Sequence, residues 1–125
     1  MHANIYAAWI LFLLGALTGA VAGLSFHRKE WLGGYDSWPR RLIRLGHISF
    51  FGLGFLNLAF ALSANALGIT TGLNAPSYLF IVGSVSMPLV CYLSAWKSPF
   101  RHLFFIPVLS VLVAMALFLG RMLQK

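Results

Sequence analysis

The 125-residue chain is 60% hydrophobic and 9% charged, too apolar for a soluble domain, whose exposed patches would aggregate. A formal charge of +7 invites a nucleic-acid reading, but Lys and Arg flank apolar runs instead of lining a polar face. That distribution excludes nucleic acid as a partner and fits anionic headgroups and the positive-inside bias.

The first apolar run, about 5–26, is long enough to cross a hydrocarbon core of about 30 Å. Ala20-Val21-Ala22 resembles a signal-peptide cleavage site. The run is too long for an h-region of about 7–15 residues and has no Lys or Arg before it, so a retained helix is expected. It ends in His27-Arg28-Lys29-Glu30, and the loop that follows carries Trp31, Tyr35 and Trp38, aromatics suited to the headgroup level. Ser37 is a candidate N-cap next to Pro39, so the second helix should start there and bring Arg40, Arg41 and Arg44 onto its entry turns. Its span is about 42–67, with the membrane section proper from about Leu45. The stretch 68–75, rich in Gly, Thr and Asn, reads as a turn, and Asn74 and Pro76 mark a third helix reaching about 96. Lys97-Ser98-Pro99 reads as a tight connection, with Ser98 as cap and a fourth span of about 100–119. The expected fold is an all-α integral membrane protein: a single domain of four spanning helices in an up-down antiparallel bundle.

Seven basic residues (Arg28, Lys29, Arg40, Arg41, Arg44, Lys97, Arg101) fall on one side of that topology and two (Arg121, Lys125) on the other. The first side should be cytoplasmic, which places both termini outside and suggests a multi-pass protein of a bacterial cytoplasmic membrane. Arg28, Lys29, Trp31, Tyr35, Trp38, Arg40, Arg41 and Arg44 then form a surface facing lipid or a partner. Both acidic residues, Glu30 and Asp36, lie in the same loop, so no span carries a carboxylate and ion-coupled transport is disfavoured. A salt bridge from Asp36 to a clustered arginine is its ordinary expected role. The two halves share no motif, which gives no support for an inverted-repeat transporter.

Helices in lipid associate by close packing, so Gly15, Gly19 and Gly23, four apart, should form one groove for a neighbouring helix or for a second chain. Gly46, Ser49, Gly52, Gly54 and Ala61 offer small surface on the second helix. Asn57, near mid-membrane, needs a polar partner, which an interhelical hydrogen bond would supply. Pro88 and Pro107 should each kink a helix.

Candidate chemistry rests on histidines. His27, His47 and His102 all fall near the basic side, and a pair of them centred on His47 could ligate haem iron, with nearby glycines admitting a flat macrocycle. Solvated interfacial positions for His27 and His102, and a buried neutral imidazole at His47, are the plainer expectation. Met87 and Cys91 share a helix face but lack a third sulfur for copper(I), so packing is expected. No hydrolase, zinc-protease or phosphate-loop motif is present, so an enzyme is not indicated. Three roles follow: an accessory or structural subunit of a membrane complex or homo-oligomer; a bis-histidine haem electron carrier; or a quinone or small-molecule binder at the cytoplasmic side using Asn57, His47 and the Pro88 bend.

Overall fold

The computed structural model describes residues 1–124; Lys125, counted above on the less basic side, lies outside them. Four α-helices follow in order: α1 (His2–Phe26), α2 (Trp38–Ala66), α3 (Asn74–Trp96) and α4 (Phe105–Leu123). Short 3-10 turns occur at Trp31–Gly33 and Ser98–Phe104. Each long helix is apolar enough and long enough to cross a membrane, the fourth when counted with its preceding 3-10 turn.

Local signals account for several boundaries. Ser37 Oγ accepts from the Arg40 amide at 3.4 Å, and Pro39 occupies the first turn of α2, where a missing N–H leaves nothing unpaired. At the far end, Gly68 takes the left-handed conformation (φ 64°). Its N–H donates to Asn65 O at 3.0 Å, and that of Ile69 to Ala64 O at 2.9 Å. This is the Schellman pattern, completed by Ile69 packing with Ala64 in the apolar core.

The fourth span departs from expectation. Lys97, extended at φ −134°, precedes the turn, and Ser98 makes no capping bond. A 3-10 run then consumes Ser98–Phe104 before the α-helix begins. Pro107 therefore falls in the first turn of α4, where no intrahelical donor is lost, and the kink expected there has no cause. Pro88 does lie inside α3 and leaves the Ser84 carbonyl without its helical partner.

Consecutive helices pack together, α2 and α3 forming the central pair. Along α1, Ala8 and Phe12 meet Gly54, Gly15 meets Phe50 and Phe51, and Gly19 meets His47, so one helix is read in the reverse order of the other. A Cβ on Gly54 would sit 2.6 Å from the Phe12 ring and one on Gly15 2.8 Å from Phe51, so these glycines set the helix separation. Gly23 differs: no atom would lie within 4 Å of a Cβ there. The expected three-glycine groove is a two-glycine contact, at Gly15 and Gly19. On the other flank, Phe60, Phe80, Ala114 and Phe118 close a core of α2, α3 and α4. Phe60 stacks edge-on to Phe118 at 4.8 Å.

Candidate functional site

Three features stand out: a polar cluster near the helix ends that carry the termini, a buried arginine at the opposite, loop end, and an apolar groove between α1 and α3.

The polar cluster joins three helices. Asn4 Nδ2 donates to Asn57 Oδ1 at 2.8 Å and to the Ser77 carbonyl at 3.2 Å, while Ser77 Oγ donates to Asn4 Oδ1. Asn57 Nδ2 donates to Ser84 Oγ at 2.6 Å and to Leu53 O at 2.9 Å, and Ser84 Oγ donates to Phe80 O at 2.6 Å. Asn4 and Asn57 are wholly buried. Every donor of both amides is used, and each carbonyl has a partner, so the cluster is closed upon itself. An amide left unpaired at this depth would cost about 1–3 kcal/mol. Asn57 was legible in the sequence as a residue in need of a partner; Asn4, Ser77 and Ser84 were not, since small polar residues in apolar runs announce no direction.

At the loop end, Arg40 is 1% exposed. This corrects its assignment to a surface facing lipid or a partner. Its guanidinium donates to the carbonyls of Phe26 at 3.0 Å, at the C-terminus of α1, and of Arg28 at 3.3 Å and Lys29 at 3.5 Å in the loop just beyond it. The Phe26 carbonyl carries the negative end of the α1 dipole, which offsets part of the cost of burying the charge. Phe26, Trp31 and Tyr35 present ring faces to it, with centroids at 4.8, 5.5 and 5.6 Å. The loop can close over Arg40 because Leu32, Gly33 and Gly34 all take positive φ, reversing the chain within three residues. Trp31 is half-buried by the same closure and meets the Phe26 ring edge-on. Arg28, Lys29, Tyr35, Trp38 and Arg41 remain exposed, and Arg44 lies over the Tyr35 ring at 4.3 Å. Backbone carbonyls, not Asp36, hold the buried arginine. Arg40 Nε is enclosed without a hydrogen-bond partner.

The histidines are not gathered. His27 and His102 are exposed and His47 is half-buried. Among the described residues no three His, Cys, Asp or Glu side chains come close enough to hold a metal ion. The His47 imidazole packs so tightly on Gly19 that a Cβ there would collide with it, and its ring meets Phe51 edge-on at 5.4 Å. Its Nδ1 is enclosed without a partner. Cys91 is buried against Gly46, whereas Met87 lines a groove between α2 and α4. The two sulfur side chains thus serve separate packing surfaces.

The groove between α1 and α3 is floored by Phe50 and walled by Ile10, Leu14, Val85 and Leu89, with a volume near 440 Å³ and almost wholly apolar walls. Pro88 lines it, which gives the Pro88 bend a place on a cavity. Toward the loop end it meets, at Tyr92, a second recess of about 350 Å³ lined by Thr18, Ser25, Trp31 and Ile43.

Comparison with known protein families, curated proteins and solved structures returns no match. Four candidate membrane-spanning helices point to a multi-pass membrane protein.

Proposed function

We propose that this chain is a small accessory subunit of a membrane complex. It forms an antiparallel up-down bundle with both termini outside and its basic, aromatic face toward the cytoplasm of a bacterial inner membrane. The observation that carries the reading is the closure of the Asn4–Asn57 polar cluster. Asn4, Asn57, Ser77 and Ser84 satisfy one another, and Arg40 spends its charge on the end of α1. A carrier or enzyme keeps polar groups free to meet a substrate; here the amides of this cluster fasten helices. Seven basic residues against two across the membrane support the orientation. The exposed Trp38, Arg41 and Arg101 supply a surface on which another subunit can dock.

The test is co-isolation in mild detergent. A colourless complex of fixed stoichiometry, lost in Trp38→Ala/Arg41→Glu while the helical content stays, supports the accessory role. A chain that runs alone at all loadings contradicts it. For the orientation, a Lys29→Cys variant labelled from outside intact cells would overturn the proposed sidedness.

A bis-histidine haem carrier is the second reading, and one observation favours it: the enclosed, partnerless Nδ1 of His47. Against it stand the Gly19 contact, which leaves no gap beside the ring, and the exposed positions of His27 and His102 at helix ends. A Soret band that disappears in His47→Ala would promote this reading over the first. For a quinone binder, Asn57 is already saturated by its own bonds and offers nothing to a head group.

A further inference from the structure

We propose that His47 and Gly19 form a proton-operated latch between α1 and α2: the neutral ring sits in the Gly19 notch, and protonation withdraws it and frees the loop-end part of α1. The proposal does not rest on the accessory role. With no Cβ, Gly19 lets the imidazole lie against the α1 backbone. An added Cβ would overlap Cε1 and fall 2.9 Å from Nδ1 and 3.0 Å from Nε2. Phe51, one turn along α2, meets the ring edge-on at 5.4 Å. Gly23, one turn nearer the loop, would have nothing within 4 Å of a Cβ. The next α2 side chain shown to hold α1 is Arg40, at the Phe26 carbonyl.

The seated ring has one enclosed nitrogen. Nδ1 is buried and has no hydrogen-bond partner. An enclosed N–H without an acceptor is costlier than an enclosed bare lone pair, so the neutral ring carries its proton on Nε2 and leaves Nδ1 bare. Nδ1 is then the ring's only basic site, and it can take a proton only when the ring has left the notch. Seating and protonation exclude each other, so acid draws the population toward the open seam.

No neighbouring group rescues a protonated ring in place. On α1 no titratable side chain lies between Tyr6 and His27, and the Thr18 hydroxyl beside Gly19 is turned back onto the Leu14 and Gly15 carbonyls at 2.7 and 3.2 Å. On α2 the nearest charge is Arg44, of the same sign and one turn nearer the loop, where it lies over the Tyr35 ring at 4.3 Å. Arg40 and Arg41 follow it, and Tyr92 of α3 packs on Gly46 and Phe50. Both carboxylates, Glu30 and Asp36, stand outside the helices in the loop. A ring released toward that loop has water for both of its N–H groups. The rest of the α1–α2 seam holds no titrating group: Gly15 meets Phe50 and Phe51, Phe12 meets Gly54, and Asn4 bonds Asn57. Opening is therefore confined between Gly15 and the Arg40 anchor.

Spin-label distances on the full chain in lipid nanodiscs, with ring-nitrogen NMR of isotope-labelled histidine, test this from about pH 8 to about pH 5, the range in which an imidazole ordinarily titrates. Labels on Val21→Cys and Leu45→Cys, exposed positions two residues nearer the loop than Gly19 and His47, report the seam; Tyr6→Cys with Leu62→Cys reports the far end. The His47 signals, identified by their loss in His47→Phe, should show one bare nitrogen at the alkaline end and two N–H groups at the acid end. The short Val21–Leu45 distance should be lost with that change, while the Tyr6–Leu62 distance stays and His27→Gln with His102→Gln leaves the response intact. His47→Phe, or His47→Leu should the first disturb folding, should abolish the response, and Gly19→Ala should show the open distance already at the alkaline end. A ring that stays neutral at the acid end, or that takes up its proton with the seam distance unchanged, would overturn the proposal. So would a pH response that survives the loss of His47.

Discussion

The two ends of the helix assembly solve the problem of buried polarity in opposite ways. At the end carrying the termini, neutral amides and hydroxyls from α1, α2 and α3 bond to one another, side chain to side chain, and their product is a fixed relation between helices. At the loop end a single charge, Arg40, bonds to backbone, and its product is a loop fastened to the end of α1. Neutral groups can be shared across an apolar interior at low desolvation cost. A cation is tolerable only where carbonyl dipoles and ring faces converge, which occurs at a helix C-terminus near the membrane surface. The two anchors should therefore fail separately.

The largest effect should come from Arg40→Ala, which takes the guanidinium from three carbonyls, Arg28 O alone keeping the Trp31 N–H as a described donor. A loss of about 3 kcal/mol is expected, with the 27–37 loop becoming protease-sensitive while the helices persist. Arg40→Lys should rescue little, since one ammonium cannot span carbonyls from three residues as a planar fork does. Limited proteolysis together with denaturant titration reads both. Asn57→Leu comes next, at about 2 kcal/mol, because it leaves one Asn4 amide proton without an acceptor, takes the donor from Ser84 Oγ and replaces an amide with a group that cannot pair. A double-mutant cycle with Asn4→Leu should show strong coupling, whereas a cycle of Asn57→Leu with Arg40→Ala should be additive within about 0.5 kcal/mol.

The smallest effects separate two glycines that look alike in sequence. Gly19→Ala forces the His47 ring aside and should cost about 1 kcal/mol. Gly23→Ala meets open space and should be neutral within about 0.5 kcal/mol. Equal losses at the two positions would mean that a second helix covers Gly23 in the membrane.

That glycine pair also marks what the sequence could and could not tell. Span lengths, the Ser37 cap with Pro39 and the turn at Gly68 are local matters of length and capping chemistry, so they were legible. Whether a four-residue spacing of glycines is covered depends on how closely the neighbouring helix approaches at each turn, which is tertiary. Asn57 was recognisable as needing a partner, but its partner Asn4 lies at the start of α1, ahead of the expected span. Arg40 read as one basic residue among several. Its burial follows from a loop reversal at Leu32–Gly34 that returns Trp31 and Tyr35 over the α1 terminus. Pro107 sits in the first turn of α4 because the 3-10 turn moved the start of that helix by several residues, a boundary that composition does not register.

Hydrogen–deuterium exchange on the wild type, Arg40→Ala and Asn57→Leu tests the separation of the two anchors most directly. The account predicts faster exchange confined to residues 27–37 and the last turn of α1 in Arg40→Ala, and confined to the first turns of α1 and α3 in Asn57→Leu. If either variant loosens both ends together, the anchors are one cooperative unit and the account is wrong.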